Sequence, residues 1–144
     1  MKTWLGLEYG LRRFGIAAGR DRLAVAVTSH EEGRDGSVLE NLRNLIEERG
    51  VTGLVVGLPL TADGREGDIA ARARRFARRL EEEFHLPVVL WDERFSSAEA
   101  DRGLARAARP PRGARDAEAA RIILQSYLVH LEANPGRPDP EDGT

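Results

Sequence analysis

Short apolar runs dominate the first third of this chain. TWLGLEY (residues 3–9), FGIAAG (14–19) and LAVAVTS (23–29) are separated only by brief turns. That spacing predicts three strands in an antiparallel meander. The rhythm then changes. SVLENLRNLIEERG sets Val38, Leu42, Leu45 and Ile46 at helical spacing and stops on Gly50. TGLVVGLP (52–59) and LPVVLW (86–91) are continuous apolar runs, as expected of strands covered on both faces. Between them, IAARARRFARRLEEEF (69–84) predicts a long helix with Ile69, Ala73, Phe76, Ala77 and Leu80 on one side.

After the last apolar run, SSAEADRGLAR (96–106) offers Ser96 as an N-cap with Glu99 three residues on, a capping-box spacing. ARPPRGAR (108–115) is not expected to be helical, because adjacent prolines remove donors and restrict their neighbours. DAEAARIILQSYLVHL (116–131) predicts a final amphipathic helix, opened by Asp116. Strands that alternate with helices imply a parallel sheet portion, and the meander adds an antiparallel one. The expected fold is α/β, a mixed five-stranded sheet flanked by helices. Ligands should bind beyond the carboxyl ends of its central strands. Residues 1–131 form one domain in this reading, and 132–144, acidic and proline-rich, form a disordered tail.

Composition narrows the classes. At 144 residues the chain fits one domain, and one that buries roughly 70% of its unfolded surface needs no covalent staple. It has no cysteine, which excludes disulfides and thiolate metal sites. No apolar run approaches the ~18 residues of a membrane span, and no signal peptide is evident, so a cytoplasmic protein without membrane contact is expected. A net charge of −2 argues against a general nucleic-acid coat protein. The distribution is more telling. Lys2 is the only lysine, and from Arg102 to Arg121 six arginines face two acids. A GC-rich genome accounts for arginine use in general, but arginine also grips phosphate bidentately.

The candidate chemistry is acidic. Glu8 ends the first strand, Asp92 and Glu93 end the last, and Asp116 opens the final helix. Singly, each has a plain structural use: Glu8 as a turn acid paired with Arg12 or Arg13, Asp92 and Asp116 as helix N-caps. If the first and last strands are both central, the acids meet at one rim and repel one another until a cation joins them. Oxygen-only ligands select magnesium or manganese over zinc. Two such ions ~4 Å apart can activate water against a phosphodiester.

Other features carry less. His30, His85 and His130 lie far apart at element edges, and Ser96 and Ser97 have no histidine nearby. GLPLTADGREG lacks the lysine and spacing of a P-loop, but it leaves a buried strand at the ligand edge and is read as a substrate-facing loop. Arg72, Arg74, Arg75, Arg78 and Arg79 read as a solvated helix face balanced by Glu81, Glu82 and Glu83. Trp4 and Trp91 are expected in the core.

Four stretches, LGLEYGLRRFGIAAG, VVGLPLTADGREG, ARARRFARRL leading to LWDERFSSAEA, and DAEAARIILQSYL, together resemble the YqgF/RuvX family of Holliday-junction-resolvase-like proteins, also described as pre-16S rRNA nucleases. They follow the family's order and span nearly all of residues 4–131. The resemblance implies a ribonuclease H-like fold and a metal-dependent nuclease acting on structured nucleic acid, RNA ahead of DNA. It also implies two Mg2+ or Mn2+ ions and a monomer or homodimer. It places catalysis on Glu8, Glu93 and Asp116, with Asp92 an additional metal neighbour. Arg12, Arg13 and Arg94 would steady phosphates, and Arg106, Arg109, Arg112 and Arg115 in the basic segment would contact nucleic acid. The family usually has aspartate where this chain has Glu8, and a DxGT-like turn where this chain has Glu-Tyr-Gly-Leu, so that Leu11 removes a hydroxyl. The longer side chain moves the carboxylate by about one bond length, ~1.5 Å. A catalytically weak or inactive nucleic-acid-binding protein, or a DNA junction resolvase, is therefore the alternative.

Overall fold

The computed structural model describes residues 2–10, 13–31, 37–61, 63–95 and 114–134. The expected helix at 96–106 and Leu11, Arg12, Arg106, Arg109 and Arg112 lie outside the described residues; of the tail expected at 132–144, Glu132 and Ala133 instead close the last helix, and residues 135–144 lie outside the described residues. Strands β1 (Thr3–Tyr9), β2 (Arg13–Arg20) and β3 (Leu23–Glu31) are followed by helix α1 (Ser37–Arg49), strand β4 (Gly53–Leu58), helix α2 (Asp68–Phe84) and strand β5 (Val88–Asp92). A single 3-10 turn at Glu93–Phe95 follows, and helix α3 (Ala114–Ala133) completes the described chain.

The five strands form one sheet in the order β3-β2-β1-β4-β5. β1 pairs antiparallel with β2 and parallel with β4, and β5 pairs parallel with β4. The expected mixed sheet is thus present. The carboxyl ends of β1, β4 and β5 share one rim.

Alternation along each strand sorts the core into two layers. Leu5 and Leu7 of β1, Phe14 and Ile16 of β2, and Leu54, Val56 and Leu58 of β4 pack toward α1 and α2. Trp4, Ala17, Val55, Val89 and Trp91 pack toward α3, against Ala120, Ile123, Leu124, Tyr127 and Leu128. Both tryptophans are core, as expected. Each meets Tyr127 edge-on, at 5.1 Å for Trp4 and 5.4 Å for Trp91, and Trp91 Nε1 donates to Ser126 Oγ at 3.1 Å.

Element ends differ from expectation in three instructive places. β5 starts at Val88, after Pro87, whose carbonyl instead accepts from Leu54 N at 2.9 Å. α3 begins two residues before Asp116, because proline constrains itself and the residue before it and leaves those downstream free. Ile69, expected on the buried side of α2, is 43% exposed, and the packed face is Ala70, Ala73, Ala77 and Leu80. Ile69 is only the second residue of the helix, where a turn-periodic pattern runs past the neighbour meant to cover it. Gly50 ends α1 as expected, in a left-handed conformation at φ 64°. His85 ends α2 in the same region and donates its backbone N–H to Glu81 O at 2.9 Å.

Candidate nuclease site

Glu8 belongs to the α3-facing set of β1, two residues beyond Gly6 and four beyond Trp4. Its cross-strand partner in β2 is Gly15. That glycine lies directly beneath the first turn of α3, where a β-carbon would come within 1.8 Å of the Asp116 carbonyl oxygen. Asp116 is thereby seated beside Glu8, and its Oδ2 lies 4.0 Å from Arg13 Nη1. Arg13 reaches Asp116 rather than serving as a turn partner for Glu8.

Glu93 arrives from the other side. β4 separates β1 from β5, and at its end stands Gly57, paired with Trp91. A β-carbon on Gly57 would sit 3.1 Å from Glu93 Cγ and 3.2 Å from its carboxyl carbon. The Glu93 side chain therefore lies over bare backbone at the end of β4 and leans toward β1. There the Glu8 and Glu93 carboxyl groups meet in a hydrogen bond.

Electrostatics follow from this meeting. Burial, the Glu93 charge, the hydrogen bond to Glu93 and the Asp116 charge all drive the Glu8 carboxyl far above the ordinary carboxylate range. Burial also raises Glu93, aided by the Asp92 charge, while the proton donated by Glu8 works the other way. Glu8 thus holds a proton and shares it with Glu93. Its Oε2 is buried with no hydrogen-bond partner, a costly arrangement for a carboxyl oxygen. Among the described residues no group of three His, Cys, Asp or Glu side chains has the spacing of a finished metal cage.

Asp92 stands apart. It pairs with Leu58 and shares the parity of Leu90, so it projects to the α1–α2 face, away from Glu8. There Arg94 grips it from both nitrogens: Nε to Oδ1 and Oδ2 at 3.1 and 3.0 Å, and Nη2 to Oδ2 at 2.7 Å. The Arg94 backbone N–H adds a bond to Oδ1 at 2.9 Å. Burial works to raise this carboxyl, but the Arg94 hydrogen bonds and charge outweigh it and hold Asp92 below its ordinary value.

The loop after β4 folds onto the same arginine. Thr61 organises it: Thr61 N–H donates to Arg65 O at 2.9 Å, Gly64 N–H to Thr61 O at 2.9 Å, and Arg65 N–H to Thr61 Oγ1 at 3.0 Å. The Arg94 guanidinium lies over Gly64, which adopts φ 84°. The loop is therefore at the rim, where a substrate-facing segment was expected.

Of the sequence candidates, the fold brings Glu8, Glu93 and Asp116 together with Arg13, and sets Asp92 and Arg94 beside them as a separate pair. Arg115 lies in the first turn of α3. Gly15 and Gly57 were not singled out from sequence. Their signal was available, since glycine inside a strand marks close approach of another group. Of the histidines, His130 packs on the Trp91 ring at 5.0 Å and His85 caps α2.

No described helix is long and apolar enough to cross a membrane. The fold resembles T. thermophilus RuvC in complex with a Holliday junction substrate, with a TM-score of 0.60 at 14% identity over 92% of this chain and 96% of that one. A protein of Anaeromyxobacter sp. (strain K) named "Putative pre-16S rRNA nuclease" is 44% identical over 135 residues, 89% of this chain and 96% of its own. Proteins of the same name from Geobacillus thermodenitrificans and Synechocystis are 42% and 40% identical, over 89% and 86% of this chain and 97% and 85% of theirs. The family model RuvX, described as Holliday junction resolvase, matches residues 2–130. With the sheet, the acidic rim and these relatives in agreement, the chain belongs to the RuvX family.

Proposed function

We propose that this chain is a divalent-metal-dependent nuclease that hydrolyses phosphodiester bonds of structured RNA, in the maturation of pre-16S rRNA ends. The observation that carries this reading is the meeting of Glu8 and Glu93 over Gly57, with Glu8 Oε2 buried and partnerless beside Asp116. Two carboxyl groups forced to share a proton, with an orphaned oxygen, fit a hard cation better than they fit each other. Glu8, Glu93 and Asp116 would hold it. Asp92, already saturated by Arg94, would not. Two Mg2+ or Mn2+ ions there would supply an activated water and neutralise charge at the leaving oxygen.

The chain's own groups set the rest. The shared proton leaves Glu8 as the site loads. Arg13 restrains Asp116 through their ion pair and contributes positive charge at the rim. Asp92 fixes the plane of Arg94, whose guanidinium faces the Thr61–Arg65 loop, where it can steady a phosphate flanking the scissile bond.

The test is cleavage of labelled RNA carrying 16S precursor ends, with Mg2+ or Mn2+, beside a DNA four-way junction. RNA cleavage that disappears in Glu8→Gln, Glu93→Gln and Asp116→Asn supports the reading. Cleavage of the junction alone replaces RNA with DNA as substrate. Binding without cleavage in either metal overturns the enzyme and leaves a nucleic-acid-binding protein.

A further inference from the structure

Helix α2 carries its charges in the wrong order for a helix that only needs to be soluble. Asp68 stands in the first turn, as the dipole favours, but five arginines then lie between Arg72 and Arg79, and the last turn holds Glu81, Glu82 and Glu83 and no base. The helix dipole favours the opposite arrangement, with acids early and bases late. The arginines precede the glutamates, the weaker order for pairs four residues apart. The pairs that order allows are not made either. Glu83 turns to Arg43 of α1, at 2.6 Å, and Arg74 reaches back to Glu66 in the loop at 2.5 Å. Among the described residues, Arg72, Arg75, Arg78 and Arg79 make no ion pair. A genomic taste for arginine explains which base was used, but not why the bases crowd the middle turns ahead of the acids.

α2 starts where the loop leaves β4. Phe76, in the middle of the arginine run, packs on Tyr9 and Phe14 at 5.4 and 4.8 Å, at the carboxyl end of β1 but on the sheet face opposite Glu8. The packed face is Ala70, Ala73, Ala77 and Leu80. Arg72, Arg75 and Arg79, at intervals of three and four, line the opposite, solvent side in one stripe. The stripe covers about 10 Å of helix, a length over which one strand of a duplex presents about three phosphates.

We propose that the outer face of α2 is a nucleic-acid backbone surface, on which Arg72, Arg75 and Arg79 bind phosphates of a structured substrate outside the cleft, on the α1–α2 side of the sheet. The proposal deepens the nuclease reading and rests on it for the identity of the occupant. It also makes the unfavourable charge order intelligible as a cost to the helix that serves binding.

The experiment compares wild type with Arg72→Gln/Arg75→Gln/Arg79→Gln and with a charge-matched control, Lys2→Gln/Arg22→Gln/Arg49→Gln, which alters exposed bases at the opposite rim. Affinity for a structured RNA is measured against salt with the full chain. Neutralising the α2 stripe should lower the slope of log K against log salt by about 2 for single-stranded contacts and nearly 3 for duplex, while the control leaves the slope alone. Thermal stability should hold or rise, since an adverse charge arrangement has been relieved. Cleavage of a short substrate that covers only the scissile site should stay within about twofold of wild type. An unchanged slope in the α2 variant, or the same loss in the control, overturns the proposal, and an acidic protein partner then becomes the occupant to test. A lost slope in a protein that cleaves nothing supports this surface while refuting the nuclease, so the two failures are separable.

Discussion

Gly15 lies so close beneath Asp116 that a β-carbon at position 15 would stand 1.8 Å from the Asp116 carbonyl oxygen. Position 15 therefore sets how near the first turn of α3 approaches Glu8, the cross-strand partner of Gly15. Gly15→Ala must push that turn away. Overpacking of this kind costs about 1–3 kcal/mol, and displacing a catalytic group by ~1 Å costs about 100-fold in rate. The expected variant is folded, melts several degrees lower, and has lost most of its nuclease activity at temperatures where it remains folded. Wild-type melting and turnover would mean that α3 is not seated by this contact.

The shared proton makes the metal-free protein sensitive to alkali. The folded-state Glu8 carboxyl is raised to about 9 from an ordinary 4.5, by burial first and by Glu93 second. Between those values the folded chain keeps a proton that the unfolded chain releases. The stabilisation is therefore complete below the unfolded value and is lost as pH rises toward the folded one. Glu93, also raised, adds a contribution of the same sign. Melting temperature in EDTA should fall steadily from pH 5 to pH 9. Glu8→Gln, which cannot ionise, should flatten most of that slope and melt higher than wild type at pH 8. A melting temperature that climbs over this range contradicts the shared proton.

Loading the site should expel that proton. Titrating Mn2+ calorimetrically at pH 7 in two buffers of different ionisation enthalpy should give different apparent heats, corresponding to about one proton released per chain. Apparent affinity should rise with pH. Identical heats in both buffers would place Mn2+ elsewhere on the molecule.

Asp92 and Glu93 are neighbours in sequence with different expected defects. Glu93→Gln should abolish Mn2+ binding. Asp92→Asn should leave Mn2+ affinity within about twofold and raise KM for RNA, because Arg94 loses its anchor. Arg94→Ala should raise KM similarly, and the double variant should be no worse than either single one. A double variant whose defects simply add would show that the two residues act independently.

The strands, the helices and the gathering of Glu8, Glu93 and Asp116 could be read from apolar rhythm and from acids at element ends. The division between Asp92 and Glu93 could not. Adjacent residues at a strand end point to opposite faces, but which of them faces the cleft depends on Val89 and Trp91 packing against α3, a contact between segments distant in sequence. The same holds for Gly15 and Gly57, whose bare backbones matter only because a distant side chain or helix turn rests on them. Ile69 shows the converse limit: helical periodicity names a face, but not whether anything covers it.

Because β4 lies between β1 and β5, the facing glutamates reach out from backbones about 10 Å apart and touch only above the naked peptide of Gly57. The floor of the cleft is main chain. A methyl group at residue 57 would meet Ile123 Cδ1 at 2.7 Å and crowd the Glu93 side chain at 3.1–3.2 Å, so both would have to yield. Residue 57 thus yields its own volume to two neighbours at once, a helix side chain and an acid.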